Sequence, residues 1–168
     1  MGNNPSRSQI GDEYPVDSVS LIDVQTFISK LNQISKENFR LPTEAEWEYS
    51  CRDGGKNQQY PSGGDIDEIA WYKANSNNTS NPVATKKPNA LGLFDMSGNI
   101  LEWVQDSYSP TSYTSFNQNN PLYLDNSTYH VARGGCFVTS EKRIRCTDRS
   151  YDKSDKKYKY LGFRLAKQ

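Results

Sequence analysis

The chain has 168 residues, enough for one domain with one real core; a chain of this size buries roughly 70% of its unfolded surface. Its composition is globular but polar, with 34% apolar and 12% aromatic residues and a formal net charge of zero, which predicts a loop-rich domain packed largely by aromatics. No apolar run approaches the roughly 18 residues of a membrane span, the first residues lack a signal-peptide pattern, and three cysteines without a CxxC beside a single histidine do not make a zinc site.

In residues 18–35, Val24, Phe27, Ile28, Leu31 and Ile34 form one apolar helical stripe, with Ser20 as N-cap. A second helix follows in "RLPTEAEWEYSCRDGG", where Thr43 and Glu46 make a capping-box pattern and Gly54-Gly55 supply the stop. The remainder has almost no helical periodicity. Its middle, "YPSGGD", "NSNNTSNP", "KKPNALG" and "DMSGN", is dense in turn formers. Between and after these turns, "ILEWVQ", "HVARGG", "RIRCT" and "YLGFRLA" suit short strands, and residues 107–130 read as a long surface loop. Helices first and short strands later predict an α+β domain over residues 1–168. Trp47, Trp71, Trp103, Phe94 and Phe163 are the expected large core pieces. Gly92, Gly98, Gly134, Gly135 and Gly162 are expected at positive φ or close backbone approach. His130 reads as an ordinary surface or strand residue.

The charge is uneven. Residues 133–168 carry 11 Lys/Arg against 4 Asp/Glu, a balance of +7. The cations are interleaved with Asp148, Asp152 and Asp155, and no nucleic-acid motif accompanies them, so a mixed-charge solvated surface is expected rather than a phosphate-backbone groove.

Six phrases in order, "PVDSVSLIDVQTF", "RLPTEAEWEYSCRDGG", "YPSGGD", "PNALGLFDMSGNILEW", "ARGG" and "LGFRLA", resemble the formylglycine-generating enzyme (sulfatase-modifying factor) family over nearly the whole chain. The resemblance implies a C-type lectin-like fold. Family members run through N-terminal strands up to an "MGNNPS"-like phrase, which here is residues 1–6. The chain is therefore expected to lack those strands, leaving "LGFRLA" with an exposed edge.

The family's enzymes oxidise a substrate cysteine to formylglycine with O2 and a copper ion held by two cysteines about five positions apart, as a soft Cu(I) ion prefers. In "CFVTSEKRIRC" the second such position falls near Glu141. Cys136 approximates the first only across a gap, and Cys146 matches a cysteine outside the copper pair. The resemblance thus implies a retained fold without the oxidase chemistry; the alternatives are a copper-dependent oxidase or a related family oxidoreductase. Cys136 reads either as a plain thiol or as a reactive one near Arg133. The family's calcium loop resembles "DMSGNILEW", where Asp95 and Glu102 offer carboxylates to calcium; the alternative is that Asp95 caps a turn and Glu102 faces a cation.

Some proteins of this fold subclass are binding proteins whose C-terminal segment is diversified by a retroelement. The terminal segment resembles such a region. It implies a displayed face for an unknown protein or small ligand, built from Cys136, Phe137, Val138, Arg143, Cys146, Asp148, Ser150, Tyr151, Asp152, Asp155 and Tyr158. The bland alternative is a solvated loop. A cell-surface location would suit such a display.

Overall fold

Ser20 and Thr43 decide where the two main helices begin. In the computed structural model, which describes residues 4–8, 11–114, 119 and 121–168, the Ser20 hydroxyl accepts from the Asp23 N–H at 3.1 Å while the Asp23 carboxylate accepts from the Ser20 N–H at 2.9 Å. Helix α1 then runs Leu21–Ser35. After a two-residue strand β1 (Phe39–Arg40), Thr43 and Glu46 repeat the device at 3.1 and 2.9 Å to start α2, Glu44–Cys51. Each such cap is worth about 1 kcal/mol. Beyond α2, the N–H groups of Gly54 and Gly55 both reach the Tyr49 carbonyl.

The expected stripe of α1 holds at Val24 and Ile28, which are buried, with Phe27 packed against them; Leu21, outside that stripe, is buried as well. The stripe fails at Ile34, which is 82% exposed. There Asn32 turns the chain back by exchanging two hydrogen bonds with the Phe39 backbone at 2.8 and 2.9 Å, leaving Ile34 outside. A short helix α3 (Ile66–Ile69), not anticipated from periodicity, is capped by Asp65.

Four further strands, β2 (Leu101–Ser107), β3 (Tyr129–Arg133), β4 (Arg149–Lys153) and β5 (Leu161–Phe163), form a sheet of order β4-β3-β2-β5. Only the β2–β5 pair is parallel. Strand β6 (Ala166–Lys167) pairs antiparallel with β1. β5 is the last strand on its side of the sheet, but "LGFRLA" is not the exposed edge expected: Leu161 and Gly162 are buried, the Val16 carbonyl packs against Gly162, and Ala166 pairs with β1. Between β2 and β3 the described chain is loop apart from a 3-10 turn at Ser112–Thr114; residues 115–118 and 120 lie outside the described residues.

One expected strand is misplaced. "RIRCT" is no strand: Glu141–Arg143 is a 3-10 turn, Ile144 and Cys146 are wholly buried, and Arg145 closes a tight turn by bonding Asp148 through its N–H and guanidinium. The alternation of "RIRCT" reflects side chains plugged into the core. Pairing with β3 starts at Arg149 instead.

The core has two main parts, divided by β2. Trp103 joins Val19, Leu21, Val24, Ile28, Leu41, Ala132 and Leu161 beneath α1. The next residue, Val104, joins Trp47, Cys51, Met96, Val131 and Cys146 beneath α2. Successive strand residues face opposite sides, so one strand serves both. Of the expected aromatics, Trp47 and Trp103 are buried, whereas Trp71, Phe94 and Phe163 are half-buried. Gly92, Gly98, Gly134 and Gly135 all have positive φ. At Gly135 the need is double: a Cβ would also lie 2.6 Å from Ile144 Cγ2. No helix among the described residues is long and apolar enough to cross a membrane.

Cys51, at the end of α2, is joined to Cys146 in a disulfide with Cα atoms 5.6 Å apart, closing a loop of sequence separation 95. Cys136 is the free thiol. In the chain-entropy account a loop of that length stabilises by about 4–5 kcal/mol. Cys51→Ser/Cys146→Ser is therefore expected to lose stability of that order in urea unfolding; a loss under about 1 kcal/mol would show that the bridge does not constrain the unfolded chain. His130, the single histidine, has a buried Nδ1 without a partner, and burial pushes its pKa below 6.5. The unfolded chain then binds the proton more readily, so stability should fall as pH drops from about 6.5 towards the depressed value. NMR titration of the imidazole checks this; a midpoint above 6.5 would contradict it.

Candidate functional site

One face of the four-stranded sheet is the floor of a cavity of about 480 Å³. All four strands contribute: Leu101 from β2, Ala132 from β3, Ser150 and Asp152 from β4, Leu161 from β5. One wall is the turn after β3, with Cys136, Val138, Thr139 and Arg143. The other is Tyr158 and Tyr160, whose rings stack with centroids 5.1 Å apart. Leu161 and Ala132 belong to the α1 core, so the floor is fixed by the packing that holds the domain together.

The segment expected to form a displayed face largely surrounds this one space. Cys136, Val138, Arg143, Asp148, Ser150, Tyr151, Asp152 and Tyr158 all border it. Three expected residues do not. Cys146 is buried in the disulfide and offers neither thiol nor surface. Phe137 is 2% exposed and packs inward, its N–H bonded to the Asn99 carbonyl and its own carbonyl to Ser76 Oγ. Asp155 is exposed in the turn beyond β4, outside the cavity lining. Tyr151 borders the space, yet its ring stacks on Tyr108 at 3.8 Å and meets Tyr129 edge-on at 5.7 Å. Strand alternation separates that ring from Ser150 and Asp152. Tyr160 and Thr139 were not singled out from sequence; the alternation Tyr158-x-Tyr160 before the β5 strand was the available signal for the first.

Cys136 is buried, with its thiol 3.2 Å from the Thr139 hydroxyl, and its N–H donates to that hydroxyl at 3.0 Å. Arg133, considered as an activator of this thiol, is wholly buried and engaged with α2. It pairs with Glu48, donates to the Asp148 carbonyl at 2.5 Å and lies 3.5 Å from Glu44. Its register neighbour Arg149 grips Glu44 through two bonds of 2.7 and 2.8 Å and also donates to Ser109 and Ser112. Two adjacent arginines are thus neutralised by carboxylates from one helix. Within the same cluster, burial and the Glu44 charge push Tyr113 up to about 12. Burial also raises Asp106, although it accepts the N–H groups of Tyr123 and Glu44.

Of the two residues expected to offer carboxylates to calcium, Glu102 does not fit. Both its oxygens are taken by Arg164 at 2.6 and 2.7 Å, and Trp47 Nε1 donates to it at 2.8 Å. Asp95 accepts the Ala84 N–H and keeps one buried oxygen without a partner; burial raises its pKa. Among the described residues no group of three or more His, Cys, Asp or Glu is placed to hold a metal ion.

Residues 2–168 match the family model described as a sulfatase-modifying factor enzyme 1-like domain. Over 130 residues the chain is 38% identical to the serine/threonine-protein kinase Pkn1 of Chlamydia trachomatis, covering 76% of this chain and 21% of that protein. It is 34% identical to the formylglycine-generating enzyme of Mus musculus, covering 76% of this chain and 38% of that enzyme. The chain thus spans well under half the length of these relatives. Among solved structures, variable protein 1 of Treponema denticola superposes with a TM-score of 0.86 at 24% identity, over 98% of this chain and 77% of that one. PvdO from Pseudomonas aeruginosa gives 0.87 at 26% identity, over 96% and 65%. The fold is the C-type lectin-like fold shared with formylglycine-generating enzymes.

Removing the charge of Glu44 leaves two buried guanidinium groups short of a partner, and breaking a buried pair costs about 3–5 kcal/mol. Glu44→Gln is expected to lower unfolding stability by that order, and more than Glu46→Gln on the exposed side of α2. Equal losses in denaturant titrations would refute the central role of Glu44.

Proposed function

Because the chain belongs to the sulfatase-modifying factor enzyme 1-like family, we propose that its work is done at the cavity, as a binding module rather than an oxidase. The observation that carries this reading is the convergence of eight C-terminal-segment residues on one space of about 480 Å³ over a rigid sheet face, a size suited to a small ligand or to one group of a larger partner. The lining combines stacked tyrosines, hydroxyls, Asp152 and Arg143, the mixed aromatic and polar chemistry common in recognition surfaces.

The thiols support the same reading. A two-thiolate copper centre needs a pair of cysteines. Cys51 and Cys146 are bonded to each other, leaving Cys136 alone. Glu141, where the family resemblance places the second cysteine, is exposed on the 3-10 turn. Retroelement diversification of this segment fits the same proposal: Val138, Ser150 and Asp152 change the cavity without entering the core clusters.

The test has two arms. Incubation with Cu(I), O2 and a cysteine-bearing sulfatase peptide should yield no aldehyde by mass spectrometry; turnover overturns the reading. In a thermal-shift screen of sugars, amino acids and nucleotides, compounds that raise the Tm of the wild-type chain should lose their effect in Ser150→Trp, which fills the floor. Shifts that persist in that variant would place binding elsewhere.

A further inference from the structure

We propose that the open edge of β4 binds an extended, acidic peptide segment by strand addition. The inference rests on the reading of the C-terminal segment as a binding surface and names a partner class for it.

β4 is the last strand on its side of the sheet. Its register with β3 runs unbroken from Tyr129–Lys153 to Arg133–Arg149. The Ser154 N–H bonds the Thr128 carbonyl at 3.0 Å. Bonded and non-bonded pairs alternate along an antiparallel ladder, so His130–Asp152 and Ala132–Ser150 are the pairs that exchange bonds with β3. The N–H and C=O groups of Arg149 and Tyr151 then point away from the sheet. Among the described residues no group hydrogen-bonds to them, whereas the Lys153 N–H is taken by the Asp152 carboxylate at 2.8 Å.

Exposed edges are commonly blunted by proline, a bulge or inward charge. β4 has no proline and no register shift; its one inward charge, Arg149, is neutralised by Glu44, and a single lysine marks its end. Next to this edge the charge is mixed, with cations in excess. Arg143, on the cavity wall, and Lys153, on the strand, form no ion pair among the described residues, and neither do Lys142 and Lys156. Of the nearby acids, Asp148 is held by Arg145 and Asp152 accepts the Lys153 N–H, while Glu141 and Asp155 are exposed and, among the described residues, fewer than the unpaired cations. An added strand would place alternate side chains over the cavity, beside Arg143, and over the tyrosine face, beside Lys153 and Tyr151. Carboxylates would find an unpaired cation on either face.

The probe is a fluorescein-labelled, N-acetylated peptide of alternating Glu and Val, titrated by anisotropy into the full chain. It should bind; N-methylation of the amides on one edge should weaken it about tenfold through lost main-chain bonds, as should Lys153→Glu. Amide exchange at Arg149 and Tyr151 should slow when the peptide is bound. The proposal is overturned by no binding, by equal affinity for the N-methylated peptide, or by equal affinity for a Lys–Val peptide. Each of those results leaves the cavity reading to be judged separately, because small compounds lost in Ser150→Trp report on the floor and not on the edge.

Discussion

The carboxylate of Glu44 is the point on which the C-terminal half of the domain depends. Arg133 and Arg149 sit opposite each other on β3 and β4, and like charges so placed repel. Arg133 is also wholly buried, where an unpaired guanidinium is prohibitively costly. Glu44, 1% exposed, answers both. It chelates Arg149 and approaches Arg133, while Glu48 one turn later takes the rest of Arg133. Glu44 is the first residue of α2, where negative charge is favoured by the helix dipole and where its own N–H is received by Asp106. The start of one helix therefore locks the outermost strand of the sheet, and with it half of the cavity floor.

The other end of α2 repeats the grip by covalent means. Cys51 holds Cys146, so the helix restrains the segment between β3 and β4 at both ends. Between these anchors the turn is held from within. Gly135 admits the side chain of Ile144, and the Ser97 hydroxyl donates to the Ile144 carbonyl at 2.8 Å. The outward residues, Val138 and Arg143, contribute little to this framework. A segment rich in polar residues can thus remain ordered without a core of its own.

The sequence shows the helices because their signals are local. Ser20 with Asp23 and Thr43 with Glu46 each lie within one turn. It misplaces β4 because the reasons for that strand are not local. "RIRCT" alternates like a strand, but Ile144 and Cys146 are buried as a core plug and a disulfide. "RSYDK" has little strand propensity at Ser, Asp and Lys, and it pairs because Arg149 meets a carboxylate 105 residues earlier. The same distance effect governs the site. Family resemblance brought most of the lining residues to attention. It did not reveal that Cys146 is spent in a bridge, that Phe137 turns inward, or which face of β4 carries the Tyr151 ring.

That last point separates support from recognition within a single strand. Arg149 and Tyr151 face the buried cluster and the tyrosine stack, where replacing a paired group costs kilocalories, about 3–5 for a buried ion pair. Ser150 and Asp152 face the open cavity, where substitutions generally fall within about 0.5 kcal/mol. Alternate positions therefore differ in tolerance although they are adjacent in sequence. A binding face that must change while the fold persists needs this arrangement: variation confined to one face of the strand alters the ligand, and constancy on the other keeps the strand in place. β4 has this arrangement because its supporting partners, Glu44 and Tyr108, come from α2 and from the chain just after β2, not from the C-terminal segment itself.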